Sequence, residues 1–245
     1  MRFKRLRYGF RWPWLLAFVC GLLYSVGLNA TNQSAEVRLN AKLQTVVKDF
    51  DNQNKSLIPT LLKIAADYHL PIGIERVVKQ AVDEPITVRL AEGTLVTLLD
   101  LALNQLPGYA WTAEDGVVVI YGSEELKDPS NFLNQIVASF DVKNETLDHA
   151  NMRLRNMFFA AQNPTGSYAG SYIGTPQLED RAISLSVRNS TLRSTLNRLA
   201  AAHGEVAWIV RVTPERLSRK PIPSAGLWQF LPRGIQDTRG IIDLR

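Results

Sequence analysis

The chain has 245 residues, 28 lysines and arginines against 23 acids for a formal charge of +5, 46% apolar residues, and one cysteine, Cys20. The whole positive excess sits in Arg2, Lys4, Arg5, Arg7 and Arg11, and the sequence after Ala30 is balanced at 23 basic and 23 acidic residues. This balance removes any argument from net charge to a nucleic acid or an anionic membrane, and the position of Cys20 leaves no disulfide framework or thiol chemistry beyond it.

Residues 1–30 read as a signal peptide. A basic stretch to Trp14 is followed by apolar residues from Leu15 to Leu28, with Ala30 as a small residue for cleavage. The apolar run falls short of the roughly 20 residues that a spanning helix needs. A periplasmic or secreted location is expected. The alternative is a retained inner-membrane anchor with Trp12 and Trp14 at the interface, and membrane contact is expected through this segment alone.

Thr31 to Lys42 is a polar lead-in, and a first unit is assigned to residues 44–122. It begins with a strand over Gln44 to Asp51. A helix follows Ser56, a good N-cap, with Leu57, Leu61, Leu62, Ile64, Ala65 and Tyr68 at helical spacing and Pro59 in the tolerant first turn. Strands are predicted over Ile72 to Val78 and Ile86 to Leu90. Thr94 caps the clearest helix, in which Leu95, Leu98, Leu99, Ala102, Leu103 and Leu106 form one apolar stripe ended by Pro107-Gly108. Tyr109 to Thr112 and Val117 to Tyr121 form a hairpin around Asp115-Gly116.

Residues 123–134 form a linker, and a second unit spans 135–212. The prediction there is a strand over Gln135 to Val142, a helix after Thr146 and a Gly/Ser/Tyr loop at Gly166 to Gly174. A strand over Ala182 to Val187, a helix over Leu192 to His203 and a strand over Val206 to Val212 complete the unit. Residues 213–245 are a basic, Pro-containing tail with an apolar patch at Leu227 to Leu231.

The two units repeat each other. Adding 97 carries Ile86 to Ile183, Thr94 to Thr191, Leu99 to Leu196 and Trp111 to Trp208, and adding 90 carries Phe50-Asp51 to Phe140-Asp141 and Asn54 to Asn144. A fixed-offset self-match of this kind points to tandem duplication. The expected class is α+β, as two small modules of β-α-β-β-α-β type whose helices pack on one face of a small sheet.

Each unit resembles the secretin and TonB short N-terminal domain. The likeness rests on Phe50-Asp51, Leu57 to Tyr68, Pro71-Ile72-Gly73-Ile74, Ile86 to Leu90, Thr94-Leu95 with Leu98 and Leu99, and Tyr109 to Tyr121. In the second unit it rests on Phe140-Asp141, Thr146-Leu147, Ile183 to Val187, Thr191-Leu192 with Leu196 and Leu199, and Ala207-Trp208. There the Gly/Ser/Tyr loop stands in place of the middle strand. The resemblance implies small periplasmic α/β modules that serve an envelope assembly. No pore or barrel sequence follows, so neither pore formation nor siderophore transport is expected.

Chemistry is sparse. His69, His149 and His203 share no metal-ligand spacing, and His203 on an apolar helix face reads as a core or helix-end histidine. Asp148 beside His149 suggests acid–base work, yet an acid in the first turn of a helix ordinarily serves the dipole. Nucleophile-elbow, phosphate-loop and dinucleotide motifs are missing, and Trp111 and Trp208 read as packing residues. No catalytic, metal or cofactor-binding residue is assigned, and no cofactor is expected. The expectation is a non-catalytic interaction protein, an adaptor or sensor, with an envelope protein partner; the alternatives are a membrane-anchored envelope scaffold with an uncleaved signal segment and, after it, a small ligand-binding protein or hydrolase without a visible motif. Partner-binding candidates are Tyr168 and Tyr172, on a Gly/Ser scaffold suited to adaptable recognition, and Trp228 and Phe230 in the tail patch. Strand addition at an exposed sheet edge is a further route.

Overall fold

The computed structural model describes residues 34–77, 84–123, 126–129, 131–162, 181–212 and 228–232. The expected signal peptide, Tyr168, Tyr172 and most of the tail lie outside them. The first half contains a helix α1 over residues 34–43, then β1 (Val46–Lys55), α2 (Leu57–Asp67), β2 (Ile72–Val77), β3 (Ile86–Thr94), α3 (Leu95–Leu103), β4 (Tyr109–Glu114) and β5 (Val117–Gly122). A 3-10 turn at Phe132–Asn134 leads to β6 (Ile136–Thr146), α4 (Leu147–Gln162), β7 (Ala182–Thr191), α5 (Leu192–His203), β8 (Val206–Val212) and β9 (Trp228–Pro232). The class is α+β.

Two antiparallel ribbons are built to one plan. In β1–β3, Val46 faces Thr94 and Phe50 faces Leu90, with a register shift between Asn52 and Lys55. In β6–β7, Ile136 faces Thr191 and Phe140 faces Val187, with the shift between Val142 and Glu145. The offsets of 90 and 97 carry each of these features onto the other. Asn54 and Asn144 share left-handed φ angles of 52° and 53°, a region asparagine tolerates better than most residues. The helix caps correspond as well: Thr94 accepts from the Thr97 N–H and Thr191 from the Ser194 N–H.

The third sheet has the order β4-β5-β2-β8-β9 and takes strands from both halves. Strand β2 pairs in parallel with β5 on one side and with β8 on the other. Val117 to Ile120 of β5 are all buried, which suits a strand covered on both faces. Val118 and Ile120 enter a first core with Ile72, Ile74 and helices α2 and α3, whereas Val117 and Val119 enter a second core with Val206, Trp208, Val210 and helices α4 and α5. The expectation of one sheet per module, covered on one face, therefore gives way to a shared sheet covered on both. A strand that is apolar on both faces cannot leave one of them in water.

Three segments differ from the sequence reading for the same reason, burial. Residues 34–43 form a helix rather than a lead-in, because Leu39 and Leu43, four apart, reach the first core. Phe132 and Leu133, in the expected linker, are buried in the second core. The tail patch is no exposed surface: Trp228 and Phe230 are fully buried.

Strand β9 pairs with β8, Trp208 facing Phe230 and Val210 facing Trp228. It therefore stands where β5 stands beside β4, in which Trp111 faces Ile120 and Ala113 faces Val118. The indole N–H of Trp228 donates to Asn151 Oδ1 at 2.8 Å. Its ring meets Phe158 edge-on at 5.8 Å, and Phe158 meets Phe132 in the same manner at 6.2 Å. The partner-site assignment of Trp228 and Phe230 is thus corrected to core closure. Trp228→Ala is expected to cost about 3–5 kcal/mol of unfolding free energy, read as a lowered urea midpoint.

Candidate interaction surface

With Trp228 and Phe230 inside and Tyr168 and Tyr172 outside the described residues, the surface must be built from other parts. His69 and His149 are exposed, while His203 is buried at the end of α5 with its Nδ1 accepting from the Glu205 N–H at 3.4 Å. Among the described residues no group of three or more His, Cys, Asp or Glu is placed to hold a metal ion. No helix among them is long and apolar enough to cross a membrane. Exposed apolar side chains such as Val46, Ile136, Met152 and Met157 need no functional explanation individually.

A polar junction fastens α5 to the first repeat. Glu75 of β2 is 0% exposed and Arg193 of α5 is 4% exposed. The guanidinium donates through Nε to Glu75 Oε1, through Nη2 to Glu75 Oε2 at 3.2 Å, and through Nη1 to Asn134 Oδ1. The next residue, Ser194, donates through Oγ to Asp115 Oδ2, and Arg198, a turn further along α5, donates through Nε to Asp115 Oδ1 at 3.1 Å. These contacts tie α5 to the β4–β5 turn and to β2. A buried ion pair recovers its desolvation cost only when the geometry is good and the remaining polar atoms are satisfied, and here both carboxylate oxygens of Glu75 are engaged.

Neighbouring Glu114 has its carboxyl pushed up by burial and then by the Asp115 charge, with Arg193 opposing, Glu75 adding and Arg198 opposing. Sequence reasoning missed the junction, although two signs of it were present. Glu75 directly follows the apolar run Ile72-Gly73-Ile74, and Arg193 replaces Val96 under the offset of 97.

Among the described residues the sheet ends at β4 on one side and β9 on the other. At β9, the Arg155 guanidinium of α4 donates to the Trp228 carbonyl and lies 5.4 Å from its ring. At β4, Ser123 N–H donates to the Gly108 carbonyl, so the alternation of an antiparallel pair turns the backbone groups of Trp111 and Ala113 away from β5. No strand pairs with this side of β4 among the described residues. Trp111 is half-buried, its indole donating to Asp100 Oδ1 at 2.8 Å. Its counterpart Trp208 is fully buried and donates to Asn197 Oδ1 at 2.9 Å. An amide in place of the carboxylate avoids a buried charge. The Asn197 Nδ2 has no hydrogen-bond partner among the described residues.

Arg193→Met alone leaves Glu75 buried and unpaired, and is expected to cost about 3–5 kcal/mol; adding Glu75→Leu should restore most of that stability in the same urea titration. For Glu114, folding raises the pKa, so the folded chain holds the proton to higher pH than the unfolded one. Its contribution is fully present below the unfolded pKa, about 4.3, and is lost as pH rises through the folded pKa. Glu114→Gln should therefore raise the melting temperature at about pH 7 and bring little gain at about pH 4.

Compared with known proteins, the chain matches no family model, no curated protein and no solved structure.

Proposed function

We propose that this chain is a non-catalytic adaptor that binds a protein partner through its composite sheet, working in the periplasm or outside the cell. The observation that carries the reading is the edge of β4, which no strand among the described residues pairs with: a row of outward backbone groups on a sheet whose other end is engaged by Arg155. Edges of this kind either recruit a strand or must be protected from one. The side chains at the junction, as far as they lie among the described residues, point the same way. Glu75, Arg193, Asp115 and Arg198 are spent on joining the two repeats, and the tryptophans on locking helices to strands.

The likeness to the secretin and TonB short N-terminal domain supports an envelope role. The first half has that family's order of strand, helix, two strands, helix and closing hairpin, and the second half has β8 and β9 as its hairpin. Secretion itself rests on residues 1–30, outside the described residues.

Crosslinking in intact cells followed by affinity capture and mass spectrometry tests the proposal. One stoichiometric envelope protein is expected with the mature chain, which should start near Thr31. A chain that remains in the cytoplasm, or that is recovered alone at every crosslinker concentration, would overturn it.

A further inference from the structure

The molecule already contains one strand addition, and its geometry indicates what a second would require. Strand β2 lies on the outer side of β8, in parallel, with Gly73 opposite Trp208 and Glu75 opposite Val210. The glycine is obligatory. A Cβ there would stand 2.2 Å from Trp208 Cε2 and 2.3 Å from Cζ2, so the Trp208 indole occupies the space where a side chain would be. Two positions on, Glu75 meets Arg193.

Strand β4 is the counterpart of β8. It has the same hairpin register, the same tryptophan and the same indole bond to the helix that precedes it, with Asp100 of α3 as acceptor where α5 supplies Asn197. What differs is the cover: Trp208 is fully buried and Arg193 nearly so, whereas Trp111 and Val96, their counterparts, are only half-buried.

We propose that the outer edge of β4 accepts an extended segment of a partner protein, running parallel to β4, with glycine opposite Trp111, aliphatic neighbours, and an apolar residue two positions later against Val96. The addition continues the sheet that already crosses the inter-repeat junction, and repeats that junction's register. The apolar requirement follows from Val96, which offers no charge where Arg193 takes Glu75. This inference rests on the adaptor reading and specifies its binding edge.

The test uses the full mature chain and fluorescein-labelled peptides copying Leu70 to Val77, read by fluorescence polarisation. The peptide with E75V should bind saturably below about 1 mM, and a second substitution, G73V, made in the peptide alone, should abolish binding. Ala113→Pro removes an outward N–H that an edge position can lose and should abolish binding at an unchanged melting temperature. Val96→Arg should reverse the preference, favouring the unmodified Glu75 peptide over E75V by at least about tenfold, since a charge-assisted pair replaces an apolar contact.

Equal binding of the glycine and valine peptides, no saturable binding, or a preference unmoved by Val96→Arg would each overturn the inference. So would a concentration-dependent dimer abolished by Ala113→Pro, which would make a second copy the occupant. If partner capture in cells survives Ala113→Pro, the edge assignment falls and the adaptor reading stands.

Discussion

The parallel pairing of β2 with β8 is the contact on which the rest of the structure depends. It joins strands from the two halves into one sheet, and it sets Gly73 beneath the Trp208 indole. The pairing also brings Glu75 within reach of Arg193. Without it β5 would present Val117 and Val119 to water on the face that α5 now covers. The two repeats thus share a layer, and neither has a complete core alone: Ala207 and Leu231 reach into the first, Val117 and Val119 into the second.

This sharing explains how two similar sequences came to use the same positions differently. Trp111 and Trp208 sit on equivalent strands and make equivalent indole bonds, but one is at an edge and the other is inside. The surroundings follow that difference. The inside copy has an asparagine acceptor and an arginine neighbour with a buried acid; the edge copy has an aspartate acceptor and a valine. Burial, more than local conformation, sets the chemistry at these positions.

Local elements were the legible part of the sequence. The Thr94 and Thr191 caps, the leucine stripe of α3 and the Asp115-Gly116 turn each depend on residues close in the chain, and each forms where the spacing places it. The β2–β8 pairing was not legible, because a strand's own residues do not name its neighbour across a hundred positions. Helix α1 was hidden by its polar composition, with Leu39 and Leu43 as its only strong signal. Trp228 and Phe230 were read as a surface patch because the tail around them is rich in proline and arginine, and only the register with β8 shows that they complete a hairpin. Strand addition was anticipated as a general route, but choosing the β4 edge required seeing Arg155 at the other one.

Ile72 faces Ala207 in the finished sheet, so 135 positions separate partners that lie side by side. Synthesis delivers β2 long before β8 exists. During that interval β2 has no β8 to pair with, and Val117 and Val119 have no second core to enter. Contacts this distant in the chain form slowly, and uncovered strands are where nascent chains associate wrongly. The inter-repeat sheet that stabilises the folded protein is therefore also the step at which its biogenesis is most exposed, and a chaperone that shields the first half until β8 emerges would act at that step.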